Sequence, residues 1–286
     1  MGFLRRHRGT TPYLLLSPGM LWLALFFLVP LGYLVDQSLQ SQSAFFGSHF
    51  TWDWGNYWSA ITGYRGEFER SFEYAGLATV IALVVSYPVA YWIAFRGGKW
   101  KNLLLLFIVA PFFVTYLIRT LAWETILSDH GLVVRLLTDI HLVSPGGRVL
   151  ATGTAVVAGI TYNFLPFMAL PLYVSLEQID QRLVEAAEDL YANKWIAFLR
   201  VTFPLSLPGV VAGTLLTFIP AAGDFINAQL LGSPTTHMIG NVIQAKYVGG
   251  LPDYPSASAM SVILMAIIMA MVLGYARAVG TEKLTG

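Results

Sequence analysis

Six long apolar runs separated by shorter polar stretches set the pattern of the chain: Leu14–Val35, Tyr74–Phe95, Asn102–Ile118, Val149–Leu176, Val201–Gly223 and Tyr254–Ala276. None of them contains a charged residue. A bilayer core about 30 Å thick takes roughly 20 helical residues, so each run is long enough, or nearly so, to cross. The third reaches 17 residues before Arg119, with Thr120–Trp123 available to extend it. Barrel strands would alternate polar and apolar positions in segments about ten residues long, and these runs do not alternate. The pattern predicts an all-α integral membrane fold with six transmembrane helices.

Composition agrees. The chain is 56% apolar and only 12% charged, where a soluble domain carries about 25% charged residues. A net charge of +1 offers no basic footprint for nucleic acid. Without cysteine there is no disulfide, thiolate nucleophile or zinc–thiolate site. The charges that remain set an orientation. With the N-terminus inside, the inner segments hold Arg5, Arg6, Arg8, Arg96, Lys99, Lys101, Arg182, Lys194, Arg200, Arg277 and Lys283, against Arg65, Arg70, Arg135, Arg148 and Lys246 outside. The positive-inside rule then predicts a multi-pass protein with both termini in the cytoplasm. A basic head before an apolar run also describes a signal peptide. This run has 22 residues and no Ala-x-Ala step after it, which favours an uncleaved first helix. The expected organisation is a cytoplasmic tail at 1–12, a six-helix domain at 13–280 and a second tail at 281–286.

Between the spans, Trp52, Trp54, Tyr57 and Trp58 fall within Phe50–Trp58. They predict a short surface helix anchored in the interfacial belt rather than a ligand-binding aromatic box. A short helix is expected over Leu132–Ile140, and Gly232–Pro255 reads as a Gly- and Pro-rich loop. Prolines at 30, 88, 111, 166, 171, 208 and 220 each remove an amide donor and are expected to bend their helices.

The longest inner segment, 177–203, holds Glu177, Asp180, Glu185, Glu188 and Asp189. Asp180 is a good N-cap. Beyond it Leu183, Ala186, Ala187 and Leu190 recur at three- and four-residue steps, with Glu185, Glu188 and Asp189 on the other side. This is a short amphipathic helix outside the membrane. Interfacial anchors carry Lys and Arg on their polar face, whereas this face is acidic, so a protein partner with a basic or polar groove explains it better.

Glu185-Ala-Ala187, followed by Phe198-Leu-Arg-Val-Thr-Phe-Pro-Leu-Ser-Leu-Pro-Gly209, resembles the EAA loop of binding-protein-dependent ABC importer permeases. Leu190, Ala192, Val201, Pro204, Leu205, Pro208 and Gly209 fit the family pattern, but Tyr191 stands where the family has glycine. Glycine there would allow a positive-φ exit from the helix, so the turn is expected to use another conformation or residue. The resemblance implies the type I importer permease fold. It also implies that Glu185, Ala186, Ala187, Leu190 and Tyr191 form a coupling helix that inserts into a cleft of a cytoplasmic ATPase. Further runs are similar to polyamine (spermidine/putrescine) importer permeases, and to the first of their two permease subunits. They are Leu28-Val-Pro30, Pro111–Trp123, Tyr162–Phe167, Gly223–Gly232 and Met238–Ile243. The implied partners are a homologous second permease, two ATPase subunits, an extracytoplasmic binding protein and the bilayer. ATP and Mg would be held by the ATPase, leaving this chain without cofactor or metal.

Charges at membrane depth are costly and face a cavity or a partner. Arg119, Glu124 and Asp224 qualify, and Trp123 lies four residues from Arg119, within reach of a cation–π contact. Glu124 and Asp224 could line a pathway that attracts an extended di- or tri-cation. Equally, each could pair with an arginine for structure alone, including Arg119 with Asp224. The five histidines are scattered without metal-ligand spacing, and no phosphate-binding Gly-x-x-x-x-Gly-Lys-Ser/Thr loop or clustered catalytic set is present. The chain is therefore read as a non-catalytic transport subunit. The alternatives are the same machine for ferric ion, thiosulfate or a sugar, and an autonomous secondary transporter, which would not need the EAA segment.

Overall fold

The computed structural model describes residues 11–43, 47–141, 144 and 147–279. Arg5, Arg6, Arg8, Lys283 and most of both expected tails lie outside them. In chain order the elements are α1 (Leu16–Ser38), β1 (Gln40–Ser43), β2 (Gly47–Phe50), α2 (Gly55–Gly63) and α3 (Arg65–Arg96). They continue as α4 (Lys101–Val109), α5 (Tyr116–Leu127), α6 (Leu132–Asp139), α7 (Gly153–Glu177) and α8 (Gln181–Asp189). The last are α9 (Lys194–Ala222), α10 (Ile226–Leu231), α11 (Ile239–Val248) and α12 (Tyr254–Val279).

Five helices are long and apolar enough to span: α1, α3, α7, α9 and α12. The expected third span is broken instead. α4 runs into a tight turn at Ala110–Phe113, Val114 and Thr115 turn extended, and α5 leaves at 94°. The interruption falls at Val114–Thr115, not at Arg119. Pro111 cannot donate to the carbonyl one turn back, and β-branched Val114 and Thr115 are at ease in extended backbone. Elsewhere proline is absorbed with less disruption. The five-residue π-wound stretches Ala24–Leu28 and Phe198–Thr202 each end two residues before a proline, Pro30 and Pro204. The wider coil there takes up the clash between the ring and the carbonyl four residues back. Pro88, Pro166, Pro171, Pro208 and Pro220 sit inside continuous helices.

Two loop expectations are corrected. The first loop holds a hairpin, β1 pairing antiparallel with β2, so the fold is not purely helical. The surface helix there starts at Gly55, after the first two tryptophans. The stretch read as a loop at 232–255 contains α11, because its Gly and Pro residues gather at the ends (Gly232, Pro234, Gly249, Gly250, Pro252) and leave Ile239–Val248 free to coil. The helix expected at Leu132–Ile140 is present as α6.

The chain forms two compact units. The first comprises residues up to 63 and 245–265. Within it Asn56 Nδ2 donates to the carbonyls of Ser38 and Gln40, and Ser258 Oγ donates to Gln37 Oε1 while meeting Tyr247 Oη at 2.8 Å. The second comprises 64–244 and the residues from 266 on. Its centre is the packing of α3, α7 and α9. The buried positions of α3 include Ser71, Ala75, Ala78, Ala82, Ser86 and Ala90, small residues at three- and four-residue steps that let backbones approach. Gly209 does the same for α9: a Cβ there would stand 2.7 Å from the Pro171 carbonyl oxygen.

Candidate functional site

Two places in the second unit concentrate the candidate chemistry. The first is the loop between α7 and α9. Asp180 caps α8, its Oδ1 accepting from the Arg182 amide at 3.0 Å. At the other end the Tyr191 amide donates to the Glu188 carbonyl and the Ala192 amide to the Ala187 carbonyl, at 3.0 and 3.1 Å. These two reversed bonds are the Schellman closure, which requires a left-handed residue just past the helix. Tyr191 takes that conformation itself, with φ +66°. The expectation that tyrosine would force another exit is therefore wrong. Closing the helix with both bonds outweighs a steric cost of roughly 1–2 kcal/mol for a left-handed non-glycine residue.

No residue of α8 is buried. Leu190 and Tyr191 are 82% and 99% exposed, and Leu183 is half-exposed. Glu185, Glu188 and Asp189 make no ion pair among the described residues. A nine-residue helix is marginal alone, so its rigidity comes from its caps and its roots. On the upstream side Lys101 Nζ pairs with Glu177 Oε1 and lies 5.3 Å from the Tyr173 ring, tying the start of α4 to the end of α7. Downstream, Asn193 caps α9 through a 2.8 Å bond from the Ile196 amide. Phe198 meets the rings of Tyr87 and Tyr91 edge-on at 5.7 and 5.9 Å, and Tyr87 Oη lies 2.7 Å from Ser206 Oγ. Sequence reasoning missed both roots. The partners of Lys101 and Glu177 are 76 positions apart and those of Tyr87 and Ser206 are 119 apart, and no local pattern connects them.

The second place is a buried polar node. Asp224 lies in the turn between α9 and α10, almost wholly buried. Its Oδ2 accepts from Tyr116 Oη at 2.6 Å and from Asn227 Nδ2, and its Oδ1 accepts the amides of Ile226 and Asn227 at 2.8 and 3.2 Å. Asn227 Oδ1 in turn accepts from Asn163 Nδ2 at 3.1 Å, and that amide also reaches Thr120 Oγ1. The network joins α5, α7 and α10. Gly159 leaves room for it, since a Cβ there would stand 2.7 Å from Asn227 Oδ1. Tyr116, Thr120, Asn163 and Asn227 were not singled out from the sequence; a run of uncharged polar residues at membrane depth was the available signal.

The other candidates do not join Asp224. Arg119 forms no ion pair with it; its guanidinium carbon lies 5.0 Å from the Phe112 ring and 5.6 Å from the Tyr116 ring. The contact with Trp123 that the sequence permits is not made. Trp123 meets Tyr162 edge-on at 5.3 Å instead, lining with Tyr74 and Thr161 a largely apolar groove of about 780 Å³. Glu124 is half-buried with no hydrogen bond or ion pair to another described residue. Among the described residues no cluster of His, Asp or Glu could hold a metal ion.

Residues 86–280 match the family described as "Binding-protein-dependent transport system inner membrane component". Among curated proteins, the chain is 39% identical over 209 residues to the spermidine/putrescine transport system permease protein PotB of Haemophilus influenzae, covering 73% of each chain. It is 35% identical over 260 residues to the protein of that name in Escherichia coli, covering 90% of this chain and 94% of that one. In fold it is similar to a chain of a bacterial ABC transporter that imports the acidic polysaccharide alginate. The TM-score there is 0.72 at 18% identity, over 99% of this chain and 98% of that one. A chain of the MetNI methionine ABC transporter in inward-facing form gives 0.58 at 16% identity, over 77% and 95%.

Proposed function

We propose a function that begins from family membership: the chain belongs to the binding-protein-dependent transport system inner membrane components. Within that family we read it as a permease subunit of an ATP-driven importer in a bacterial inner membrane, with both termini cytoplasmic. It would pair with a homologous permease and take substrate from an extracytoplasmic binding protein. Two separate ATPase subunits would bind ATP and Mg. The observation that carries this reading is α8 itself, a helix closed at both ends with no residue buried among the described residues. Such a helix is made to be gripped. Its acidic side suits a basic rim, and Leu183, Leu190 and Tyr191 suit an apolar floor.

A pull on α8 would reach the bundle through the Lys101–Glu177 pair on one side and the Phe198, Tyr87 and Tyr91 rings on the other. Motion at the ATPase thereby tilts α3, α4, α7 and α9 together rather than bending a free loop. The substrate class follows the names of the relatives, which are spermidine/putrescine permeases. Of the candidate carboxylates, Asp224 already accepts four hydrogen bonds, which leaves Glu124 as the acid free to attract a di- or tri-ammonium ion.

The test is reconstitution of the chain with its permease, ATPase and binding-protein neighbours, reading ATP hydrolysis and uptake together. Spermidine or putrescine should stimulate hydrolysis, while ferric ion, thiosulfate and sugars should not. Glu185→Lys should leave the complex able to hydrolyse ATP but unable to accumulate amine, and full coupling in that variant counts against docking through α8. Accumulation by the lone chain would remove the ATPase from the account altogether.

A further inference from the structure

We propose that the elbow of the broken span is a receptor for a carboxylate of the second permease subunit, with Arg119 as its binding group; this rests on the reading that the chain works as one of two paired permeases. Arg119 is only 7% exposed, and its Nε and Nη1 are buried with no acceptor among the described residues. Its guanidinium lies beside Phe112, from before the break, and Tyr116, the first residue of α5, so it sits at the 94° corner between the two half-helices. The aromatic rings attract the charge through their faces but accept no N–H bond in the plane of the guanidinium. A desolvated cation held this way needs an anion to complete it.

No described residue supplies that anion. The nearest chemistry, the node at Asp224, has both carboxylate oxygens engaged and makes no ion pair with Arg119. Lipid phosphate is out of reach. The thirteen residues Lys101–Phe113 climb about 20 Å from the basic turn at about 1.5 Å per residue, which puts the corner well inside a core about 30 Å thick. Acyl chains offer no acceptor there. The rim of the corner is nevertheless uncovered, with Phe113 82% exposed and Val114, Leu117 and Ile118 also facing outward, so an outward swing of the Arg119 side chain would bring its sealed Nε and Nη1 to an acceptor there. An apolar rim around an unfilled cation fits a membrane helix that brings one acidic side chain to the corner. A second permease is the partner that meets this chain at that depth.

Because this chain has no cysteine, a single introduced thiol is its one labelling site, and the same complex without the introduced thiol reads any labelling of the other subunits. Leu117→Cys carrying a benzophenone, in the otherwise native complex in its membrane, should cross-link on illumination to the second permease, at a peptide containing Asp or Glu. Cross-links to lipid alone, or to a segment without an acidic residue, overturn the proposal. In parallel, Arg119→Met should loosen the two permeases by about tenfold or more in dilution-driven dissociation, as expected when one member of a buried charge pair is removed. Arg119→Lys should fall between Met and wild type. Retention of the ATPase in the same samples should not change, which separates this corner from the coupling loop. Equal permease retention in Met and wild type overturns the proposal, as does a wild-type retention that drops when chloride is exchanged for gluconate, because a free anion would then fill the site.

Discussion

The node around Asp224 and the helix α8 both concentrate polar side chains in the second unit, and they are built on opposite rules. At the node, two carboxylate oxygens take four donors, one from α5 and three from the start of α10, where the first two backbone amides and the Asn227 side chain donate. On α8 and its exit, Glu185, Glu188 and Asp189 make no ion pair among the described residues, and Leu183, Leu190 and Tyr191 are exposed. A polar group sealed away from water must find its partner within the fold or cost stability. A group left in water keeps its bonding capacity for something else. Burial with full pairing therefore marks scaffold, and exposure on a rigid, capped element is what the proposed docking of α8 would require. Asp224 and Glu185 have the same functional group and opposite meanings.

The largest expected effect breaks the node. Asp224→Ala strands the Tyr116 hydroxyl proton and two backbone amides in a buried site and leaves the Asn227 side-chain amide only Tyr116 Oη to donate to, and should cost about 3 kcal/mol or more. Thermal unfolding of the solubilised chain should shift down by several degrees, with uptake lost as a consequence. If the melting temperature holds while uptake disappears, Asp224 handles substrate and the contrast drawn here collapses. A smaller effect probes the other region. Asp180→Ala removes the cap bond to the Arg182 amide and should cost about 1 kcal/mol, confined to α8. Hydrogen exchange over 181–189 should quicken by roughly fivefold, while the melting of the α3–α7–α9 bundle stays where it was. A shift of the whole transition would mean that α8 is part of the core.

What the sequence made legible follows from how local each signal is. Spans α1, α3, α7, α9 and α12 announce themselves by length alone, and α8 by a cap and a one-sided face within ten residues. The broken third span carries its cause, Pro111 before two β-branched residues, yet charge is the louder signal in an apolar run and points instead to Arg119. The hairpin at 40–50 was missed since Gln40-Ser-Gln-Ser43 shows no apolar alternation. The node was half-read: Asp224 stood out, whereas Tyr116, its donor, is 108 positions away and chemically ordinary in a membrane helix. Contacts between distant uncharged residues leave no trace in a single sequence.

The finest test concerns Tyr191, where the contrast is sharpest at one residue. Its backbone does scaffold work, closing α8 from a left-handed conformation, while its ring is almost entirely in solvent. Glycine would remove a steric cost of roughly 1–2 kcal/mol and return about 0.5–1 kcal/mol through the greater freedom of the unfolded chain. Tyr191→Gly should therefore stabilise α8 slightly, by up to about 1.5 kcal/mol. Hydrogen exchange over 181–190 should slow by no more than about tenfold, and the bundle's melting should not move. Asn tolerates the same conformation without the full entropic loss, so Tyr191→Asn should slow exchange at least as much. Faster exchange in both variants would mean that the ring, not the backbone, holds the turn. An exposed ring has few described neighbours to hold it with, so the sign of this small effect decides whether the backbone or the ring of Tyr191 holds the turn.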